Sequence, residues 1–509
     1  MKDKYFYITT PIYYPSGEPH MGHAYSSILA DVFARFKRND NFKVFFLTGT
    51  DEHGLKIQNS AKKNNLEPLE YCDKISLIFK DLAKKLDLSN DDFIRTTEKR
   101  HHKAVNDLWN RLVKSGDIYL SKYKGWYSVS DEAYYNEDEI VEKNGKKFSS
   151  FSGSSVEWVE EDSFFFKLSS WQNKLLEFYD KNKDFILPDS RRNEVINFVK
   201  SGLKDLSVSR TSFTWGISVP ENKTHVIYVW LDALTNYLSA LNFPDTNNNL
   251  YKDFWPASLH IIGKDILRFH AIYWPAFLLA ANIQPPKKVF GHGWILSGEE
   301  KMSKSKGNIL NPIEIINKYG IDQLRYYLMK GVSHGGDGNI SLSSLENCIN
   351  SDLANNYGNL CQRVFSFVTS NCDNQVKKPT NLSQSDSKFI KEIESITKNL
   401  RKLMNEQNLN GYLKSVINIS FLTNKYINDE EPWKLKKSNL DKMNNILYIS
   451  LMQIAKISIL LNPVIPNSSN KVLDALNLKS RNLSFLDGED IMSNVIQIKP
   501  LKILFKKIS

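Results

Sequence analysis

The sequence predicts an α/β protein in which a doubly wound parallel sheet carries an insertion and is followed by an all-helical C-terminal region. Strand-like segments alternate with helical patterns near the N-terminus and again after residue 257. Residues 115–223, rich in aromatic, charged and turn residues, separate these two halves. After about Ile340, apolar residues recur at helical spacing. A chain of 509 residues is too long for one core, so we expect two to four domains.

The N-terminal half begins with a βαβ pattern. Residues 5–9 and 42–47 are predicted strands, and a helix from about Gly22 connects them. The second strand is almost entirely apolar, as expected when both faces of a sheet are covered. The other half is predicted to place a helix at 266–281 between strands at 258–262 and 288–296.

Four unusual segments each follow a predicted strand. They are TTPIYYPSGEPHMGH, GTDEHG, GKDILRFH and HGWILSGEEKMSKSKGN. In an open parallel sheet, ligands bind beyond the carboxyl ends of the strands, where the topology switches. The four segments therefore predict a single pocket.

Two histidines, His20 and His23, stand where the first helix begins and share one helical face. Three roles are open to them: metal ligands, packing residues, or donors to an anion. A metal needs further ligands, and the nearby sequence offers no obvious third. The unpaired N–H groups and the positive dipole end of a helix favour an anion. The strand–loop–helix context therefore favours phosphate binding.

Residues 301–308, KMSKSKGN, contain three lysines, two serines and a glycine. Taken alone, this segment is most simply a solvated basic loop. After a strand end, it is also typical of a mobile clamp whose lysines stabilise the charge on a leaving pyrophosphate. The aromatic residues Trp230, Tyr237 and Trp274 are, taken alone, more typical of a core than of a ligand pocket.

Composition narrows the class of protein. Lys and Arg number 67 against 57 Asp and Glu, a mild excess that is compatible with a nucleic-acid partner without indicating one. The four cysteines include no CxxC pair, which argues against a cysteine zinc site and a disulfide framework and suits a reducing cytoplasm. The N-terminus has no signal-peptide pattern. The apolar stretch 446–461 contains Gln453 and Lys456, so it predicts a bundle helix and no membrane span.

Together these segments resemble the class I aminoacyl-tRNA synthetases, and specifically the bacterial-type methionyl-tRNA synthetases. Residues 20–23, HMGH, are similar to the HIGH motif of the class, and residues 301–305 are KMSKS itself. Blocks similar to the methionine subgroup follow one another along nearly the whole chain: TTPIYYPSGEPHMGHAY, LTGTDEHGLKIQ, VSRTSFTWGI, YVWLDALTNY, HIIGKDILRFHAIYWPA and EEPWKL.

The resemblance implies four regions. They are a Rossmann-like catalytic domain in two halves (1–114 and 224–297), a connective insertion (115–223), a KMSKS loop and stem-contact region (298–349) and a helical anticodon-binding domain (350–509). Many relatives carry a zinc knuckle of cysteines in the insertion, but this insertion has no cysteine, so no zinc or other bound metal is expected. No appended oligonucleotide-binding domain is visible, and a monomer is expected.

The reaction that the resemblance implies has two steps. The methionine carboxylate attacks the α-phosphorus of ATP, accompanied by Mg²⁺, and gives methionyl-adenylate and pyrophosphate. The terminal ribose 2′-hydroxyl of tRNA(Met), including the initiator tRNA, then attacks the adenylate. Catalysis is mainly positioning and charge stabilisation. His20 and His23 would hold the triphosphate, while Lys301 and Lys304 would stabilise the transition state.

The resemblance also implies three groups of binding residues. Besides the two histidines and two lysines that act on the phosphates, the ATP site would include Gly22, Gly263, Lys264, Asp265, His292, Gly293 and Ser303. For methionine, Asp51 matches the residue that pairs with the α-ammonium, and the pocket lining would be Ile12, Tyr14, Trp230, Leu234, Tyr237 and His270. A polarizable thioether contacts aromatic rings well. Leu234 stands where some relatives have proline. For the anticodon, Trp433 would stack on a base, with Asn359 and Arg363 as companions.

Other classes of protein predict features that differ from these. Leucine-, isoleucine- or valine-type synthetases should show a large editing insertion, and the cysteine type should show cysteine zinc ligands. A small nucleotidyltransferase with HxGH would not need a C-terminal helical domain. A noncatalytic tRNA-binding relative should have decayed motifs, whereas HMGH and KMSKS are intact here.

Overall fold

The computed structural model forms two compact units. One unit consists of Met1–Lys4, His20–Lys43 and Trp294–Ser509, and the other of Tyr5–Pro19 and Val44–Gly293. We call them the helical unit and the sheet unit. The structure describes residues 4–15, 17–131, 133–135, 137–143, 145–297, 300–301, 310–333 and 335–508.

The secondary structure follows the predicted order. The strands are β1 (Tyr5–Tyr13), β2 (Lys43–Thr50), β3 (Asp92–Arg95), β4 (Ile118–Ser128), β5 (Ala133–Tyr135), β6 (Ile140–Lys143), β7 (Lys146–Ser149), β8 (Glu157–Phe166), β9 (Ile186–Leu187), β10 (Leu206–Ser207), β11 (Ser209–Arg210), β12 (Val226–Ile227), β13 (Leu259–Gly263), β14 (Val289–His292), β15 (Ile295–Ser297), β16 (Glu300–Lys301), β17 (Gly338–Ile340), β18 (Gln375–Lys377) and β19 (Val495–Gln497).

The helices are α1 (Met21–Asn39), α2 (Leu55–Lys63), α3 (Pro68–Lys85), α4 (Lys99–Lys114), α5 (Gln172–Lys181), α6 (Asp189–Lys200), α7 (Val229–Ser239), α8 (Asn249–Phe254), α9 (Trp274–Ala280), α10 (Pro312–Tyr319), α11 (Ile321–Gly331), α12 (Leu342–Cys348), α13 (Asn359–Asn371), α14 (Gln384–Thr397), α15 (Leu400–Asn405), α16 (Leu409–Glu430), α17 (Pro432–Leu435), α18 (Leu440–Leu461) and α19 (Pro466–Ala475). Two stretches, Phe269–Tyr273 and Ile349–Gly358, are π-helical.

The sheet unit is built on a six-stranded sheet in the order β3-β2-β1-β13-β14-β9. Parallel pairing joins β1 to β13, β13 to β14, β14 to β9 and β2 to β3, which confirms the predicted parallel sheet. The carboxyl ends of β1, β2, β13 and β14 therefore meet at one edge. A separate antiparallel sheet, β10-β8-β4-β5, lies within the predicted insertion.

Two features of the sheet differ from the sequence-based expectation. The predicted strand 288–296 is two strands, because β14 pairs in the main sheet and β15 pairs instead with β17. The apolar pattern runs through both and does not show the change of partner. The short strand β9 also joins the main sheet from within the range predicted as insertion. Two residues are too few for a strand pattern to be visible in a sequence.

The helical unit is organised around α18, which packs against α16 and α19. Among the described residues, α18 is the one helix long and apolar enough to cross a membrane by length and composition, and 78% of its apolar window is buried. A buried bundle helix, as predicted, meets the same criteria. The expectation of helices to the end of the chain was wrong in one respect. β18 and β19 form a small antiparallel pair, which supplies a partner for the non-helical C-terminal segment.

Candidate active site

In the helical unit, the first turn of α1 is closed by its own two histidines. His20 is the N-cap, and its Nδ1 accepts a hydrogen bond of 3.1 Å from the Gly22 backbone N–H. The His20 backbone N–H in turn donates to Nδ1 of His23 at 3.1 Å. The two rings stack with their centroids 3.9 Å apart. This reciprocal arrangement is a capping box made from imidazoles.

These bonds determine which ring nitrogens carry hydrogen. Because both Nδ1 atoms accept from the backbone, the neutral rings carry their hydrogens on Nε2. Burial, and then the neighbouring His20, lower the pKa of His23 well below its ordinary value. Two neutral N–H donors at a helix N-terminus suit an anion. Gly22 makes this possible, since a Cβ there would lie 2.9 Å from Cε1 of His20.

In the sheet unit, the predicted GKD and HG segments meet at the sheet edge. Gly263 and His292 are direct partners in the parallel register of β13 and β14. A Cβ on Gly263 would lie 2.6 Å from Oδ1 of Asp265, so the Asp265 carboxylate occupies the space beside this glycine. Nδ1 of His292 donates to the Gly293 carbonyl at 2.8 Å, and burial lowers the pKa of His292. The sheet thus brings together five of the predicted ATP-site residues, including Lys264 and Asp265.

The loops after β1 and β2 are also neighbours. The Asp51 backbone N–H donates to the Tyr13 carbonyl at 2.9 Å, and the Tyr14 hydroxyl donates to the His53 carbonyl at 2.8 Å. Asp51 is buried, with 4% of its surface exposed. Ile12 packs against the apolar core of the unit. Three residues predicted for methionine, Ile12, Tyr14 and Asp51, therefore lie on adjoining strand ends.

The remaining predicted methionine residues lie on α7 and on the π-helical stretch before α9. The Tyr237 hydroxyl is 2.7 Å from Nε2 of His270, and Trp230 stacks on Phe269 with ring centroids 3.7 Å apart. The Trp230 ring also faces the edge of His270 at 6.5 Å. Leu234 lies on the same helix and is buried. The structure thus brings Trp230, Tyr237 and His270 into one aromatic wall. The ring of Trp274, which is fully buried, lies 6.2 Å from the Tyr237 ring.

The protonation state of this wall follows from its hydrogen bonds. Nδ1 of His270 lies 3.0 Å from the Ile266 carbonyl, which can only accept, so Nδ1 carries the hydrogen. The Tyr237 hydroxyl therefore donates to Nε2. Burial lowers the pKa of His270 to about 4. Burial, and to a smaller extent the Asp51 carboxylate, raise the pKa of the Tyr237 hydroxyl. The wall is neutral, and the Asp51 charge lies within electrostatic reach of it.

Sequence reasoning missed part of this wall. His260 stacks on Tyr237 at 4.2 Å, and its Nδ1 lies 2.8 Å from the Thr9 hydroxyl. Both residues are fully buried. His260 is the first residue of the HIIGKD segment, which also contains predicted ATP-site residues. Its position in that segment was a signal from which its place in the site could have been predicted. Phe269, which stacks on Trp230, was hidden in an apolar run.

In the helical unit, Trp433 lies at the start of α17 and is 41% exposed, so it is not a core tryptophan. The guanidinium of Arg363 lies 5.7 Å from the Trp433 ring centroid and donates to Asn428 at 2.8 Å. Asn359 begins α13, one turn before Arg363. Asn359 and Arg363 both line a polar groove of about 1300 Å³. The three predicted anticodon residues therefore lie in one region.

The KMSKS segment lies mostly outside the described residues. Ser303 and Lys304 are not described, and Lys301 is described only as backbone in β16, opposite Leu296. Their predicted roles stay predictions.

Comparisons with known proteins agree with these observations. A family model described as tRNA synthetases class I (M) matches residues 6–146 and 142–365, and a model described as the anticodon binding domain of methionyl tRNA ligase matches 376–509. The methionine–tRNA ligase of Brucella suis is 47% identical over 96% of this chain and 94% of the relative. That of Rickettsia felis is 51% identical over 95% of this chain and 94% of the relative.

Solved structures give the same result. The Mycobacterium tuberculosis methionyl-tRNA synthetase in complex with methionyl-adenylate superimposes with a TM-score of 0.95 at 42% identity, covering 99% of both chains. Its apo form superimposes with a TM-score of 0.89 at 39% identity, covering 100% of this chain and 99% of the other. The chain belongs to the methionyl-tRNA synthetase family of the class I aminoacyl-tRNA synthetases.

Proposed function

We propose that the chain is a methionine–tRNA ligase that activates L-methionine with ATP and transfers it to tRNA(Met), the initiator tRNA included. The observation that carries this proposal is the neutral wall of Trp230, Tyr237 and His270 within electrostatic reach of the Asp51 carboxylate. A thioether packs well on aromatic rings, and an α-ammonium pairs with a carboxylate.

In the first step, the chain contributes mainly position and charge. Asp51 holds the ammonium, and the aromatic wall with Ile12, Tyr14 and Leu234 holds the side chain. The Nε2–H groups of His20 and His23 donate to the triphosphate. Gly263, Lys264, Asp265, His292 and Gly293 would line the nucleotide site at the edge of the sheet. Gly22 and Ser303 are assigned to ATP by the resemblance alone. Lys301 and Lys304 stabilise the departing pyrophosphate.

The proposed reaction uses one metal, Mg²⁺, and no zinc. Within the described residues, no group of three His, Cys, Asp or Glu side chains could hold a metal ion. The phosphate oxygens of ATP are hard ligands that Mg²⁺ prefers. We therefore propose that Mg²⁺ enters with ATP, and that the cysteine-free insertion 115–223 holds no zinc.

In the second step, the helical region would choose the tRNA. Trp433 is exposed and would stack on an anticodon base, while Asn359 and Arg363 would supply polar contacts from the groove. The proposed domains are the catalytic halves 1–114 and 224–297, the insertion 115–223, the stem-contact region 298–349 and the anticodon domain 350–509. We further propose a cytoplasmic monomer with no membrane partner.

Charging of total tRNA with each of the twenty amino acids in turn tests the function. We expect methionine alone to be attached efficiently, and the charged species to hybridise with probes for tRNA(Met). Preferential attachment of another amino acid, or methionine attached to tRNAs that lack its anticodon, would overturn the proposal.

A further inference from the structure

A buried carboxylate connects the loop that carries Asp51 to the helix that carries the aromatic wall. Asp232 on α7 is fully buried, and its Oδ2 lies 2.6 Å from Nδ1 of His53. Its Oδ1 lies 2.6 Å from Nε2 of His101 on α4. One carboxylate therefore receives a short hydrogen bond from each of two histidines that are far apart in sequence.

The three partners come from elements with different roles. His53 follows Asp51 by two residues in the loop between β2 and α2. Asp232 stands between Trp230 and Leu234 in the first turns of α7. Helix α4 packs along α7, and Nδ1 of His101 also lies 2.9 Å from the Ser239 hydroxyl at the end of α7. The His101 ring is thus bonded to the first turn of α7 through Asp232 and to its last residue, Ser239.

Charge makes this connection strong. Burial by itself would raise the pKa of Asp232, but the rings of His53 and His101 hold it below its ordinary value. The carboxylate is therefore ionised, and both bonds to it are charge-assisted. A buried charge that loses one partner is left uncompensated, so the loop cannot move away from α7 without a large cost. His102 is the other titratable ring beside His53, at 5.5 Å, and burial lowers its pKa.

The loop is also bonded to other elements, and one of these bonds, from the Tyr14 hydroxyl, goes to the His53 carbonyl. The Asp51 backbone is bonded to Tyr13, and the side chain of Glu52 is bonded to Arg95 at 2.7 Å and to Thr97 at 2.6 Å. Those contacts attach the loop to neighbouring strand ends. The bond from His53 joins the loop to Asp232 on α7 itself.

We propose that Asp232 is a positioning residue for methionine recognition: through His53, it sets the Asp51 carboxylate in register with the side-chain wall on α7. The proposal rests on the role of Asp51 as the partner of the methionine ammonium. Asp232 is fully buried, and its carboxylate is bonded to His53 and His101. It fixes the separation of the two halves of the methionine site, one for the ammonium and one for the thioether, so that both can bind the same molecule.

An Asp232→Asn variant tests this role. The amide keeps the shape of the side chain but loses the charge and presents N–H to one of the two histidines. We expect the KM for methionine in ATP–pyrophosphate exchange to rise about 10- to 100-fold, since a displaced Asp51 carboxylate would lose its charge-assisted pair with the ammonium. The KM for ATP should stay within about threefold of wild type, because the nucleotide contacts are unchanged.

A double-mutant cycle separates positioning from a general effect on the fold. If Asp232 acts through Asp51, then Asp232→Asn should add little to the rise in KM that Asp51→Asn already causes. Independent, multiplicative effects of the two substitutions would contradict the proposal. A His53→Ala variant gives the same comparison if Asp232→Asn does not fold, because it removes the same bond from the side of the loop.

The matched control is His225→Ala. His225 is a buried histidine of the sheet unit whose Nδ1 bonds the Ser209 hydroxyl at 2.9 Å and whose ring packs on Phe164. We expect it to lower the melting temperature as His53→Ala does, with an unchanged KM for methionine. Equal KM changes in the two variants, or an unchanged KM in Asp232→Asn, would overturn the inference. Absence of methionine-dependent exchange in the wild type would instead overturn the proposed function.

Discussion

The Tyr237 hydroxyl donates a 2.7 Å hydrogen bond to Nε2 of His270, whose other ring nitrogen is held by the Ile266 carbonyl. This chain of bonds fixes the rotamers of a tyrosine and a histidine that were both predicted for methionine. It also fixes the tautomer of a fully buried imidazole. Two residues on separate helices thereby present one rigid surface.

A Tyr237→Phe variant should therefore lose affinity for methionine. The ring stays, but Nε2 of His270 becomes a buried acceptor without a donor, which costs about 1–3 kcal/mol. That cost falls on the folded protein with or without ligand, so the melting temperature should fall. Because the His270 ring is also no longer held in place, we expect methionine to bind about tenfold more weakly, measured by equilibrium dialysis. The control is Tyr412→Phe in the helical unit. It also removes a buried tyrosine hydroxyl, which donates to the Leu460 carbonyl at 2.8 Å. Equal methionine affinity in both variants would contradict the assignment.

Acid should destabilise the protein through His270. Its pKa is about 4 in the folded state, lowered by burial from 6.5. The unfolded chain therefore takes up a proton as pH falls through 6.5, while the folded chain stays neutral until about pH 4. The free energy of unfolding should fall by about 3 kcal/mol across that range from this residue alone. The free energy of unfolding, measured with urea between pH 4.5 and 7.5, should depend less steeply on pH in His270→Gln than in the wild type. The same dependence on pH in both proteins would refute this.

Lys304 is expected to act on chemistry and not on methionine binding. The Lys304→Ala variant removes a positive charge where the resemblance places the leaving pyrophosphate. We expect adenylate formation to slow by about 10²–10³-fold, as for other losses of one preorganised donor, with methionine affinity nearly unchanged. Lys318→Ala, an exposed lysine on α10, is the charge-matched control. A parallel loss of methionine affinity in Lys304→Ala would count against the role.

Trp433 should affect tRNA charging alone. Stacking of a base on an aromatic ring contributes about 1–3 kcal/mol by alanine substitution, so Trp433→Ala should weaken tRNA binding about 5- to 150-fold. Because the side chain is 41% exposed, the melting temperature should change little. Leu440→Ala, which truncates another exposed apolar side chain of the same unit, is the control. Slower methionine-dependent ATP–pyrophosphate exchange in Trp433→Ala would contradict a role limited to tRNA.

Sequence reasoning predicted well where a pattern has one physical solution. The alternation of apolar strands and amphipathic helices requires a covered parallel sheet, and the sheet then brings GTDEHG, GKD and HG to one edge. The glycine in HMGH is explained only by the structure, since it makes room for the His20 ring. The motif therefore indicated a function before its geometry was known.

The parts that were missed depend on contacts between distant residues. The bonds that join His53, Asp232 and His101 span up to 179 positions, and a single sequence shows no periodicity for such a pair. The change of partner between β14 and β15 is invisible for the same reason. Local sequence patterns therefore predict helices and strands. The contacts that position the residues of a site depend on pairs that are distant in sequence.

Methionine-dependent ATP–pyrophosphate exchange by the purified chain tests the assigned activity most directly. With saturating ATP and Mg²⁺ and no tRNA, L-methionine should support exchange far above leucine or cysteine, and Asp51→Asn should raise its KM by at least about 100-fold, because an ammonium would lose a buried partner. Exchange supported best by another amino acid, or a normal KM for methionine in Asp51→Asn, would contradict this account of the site.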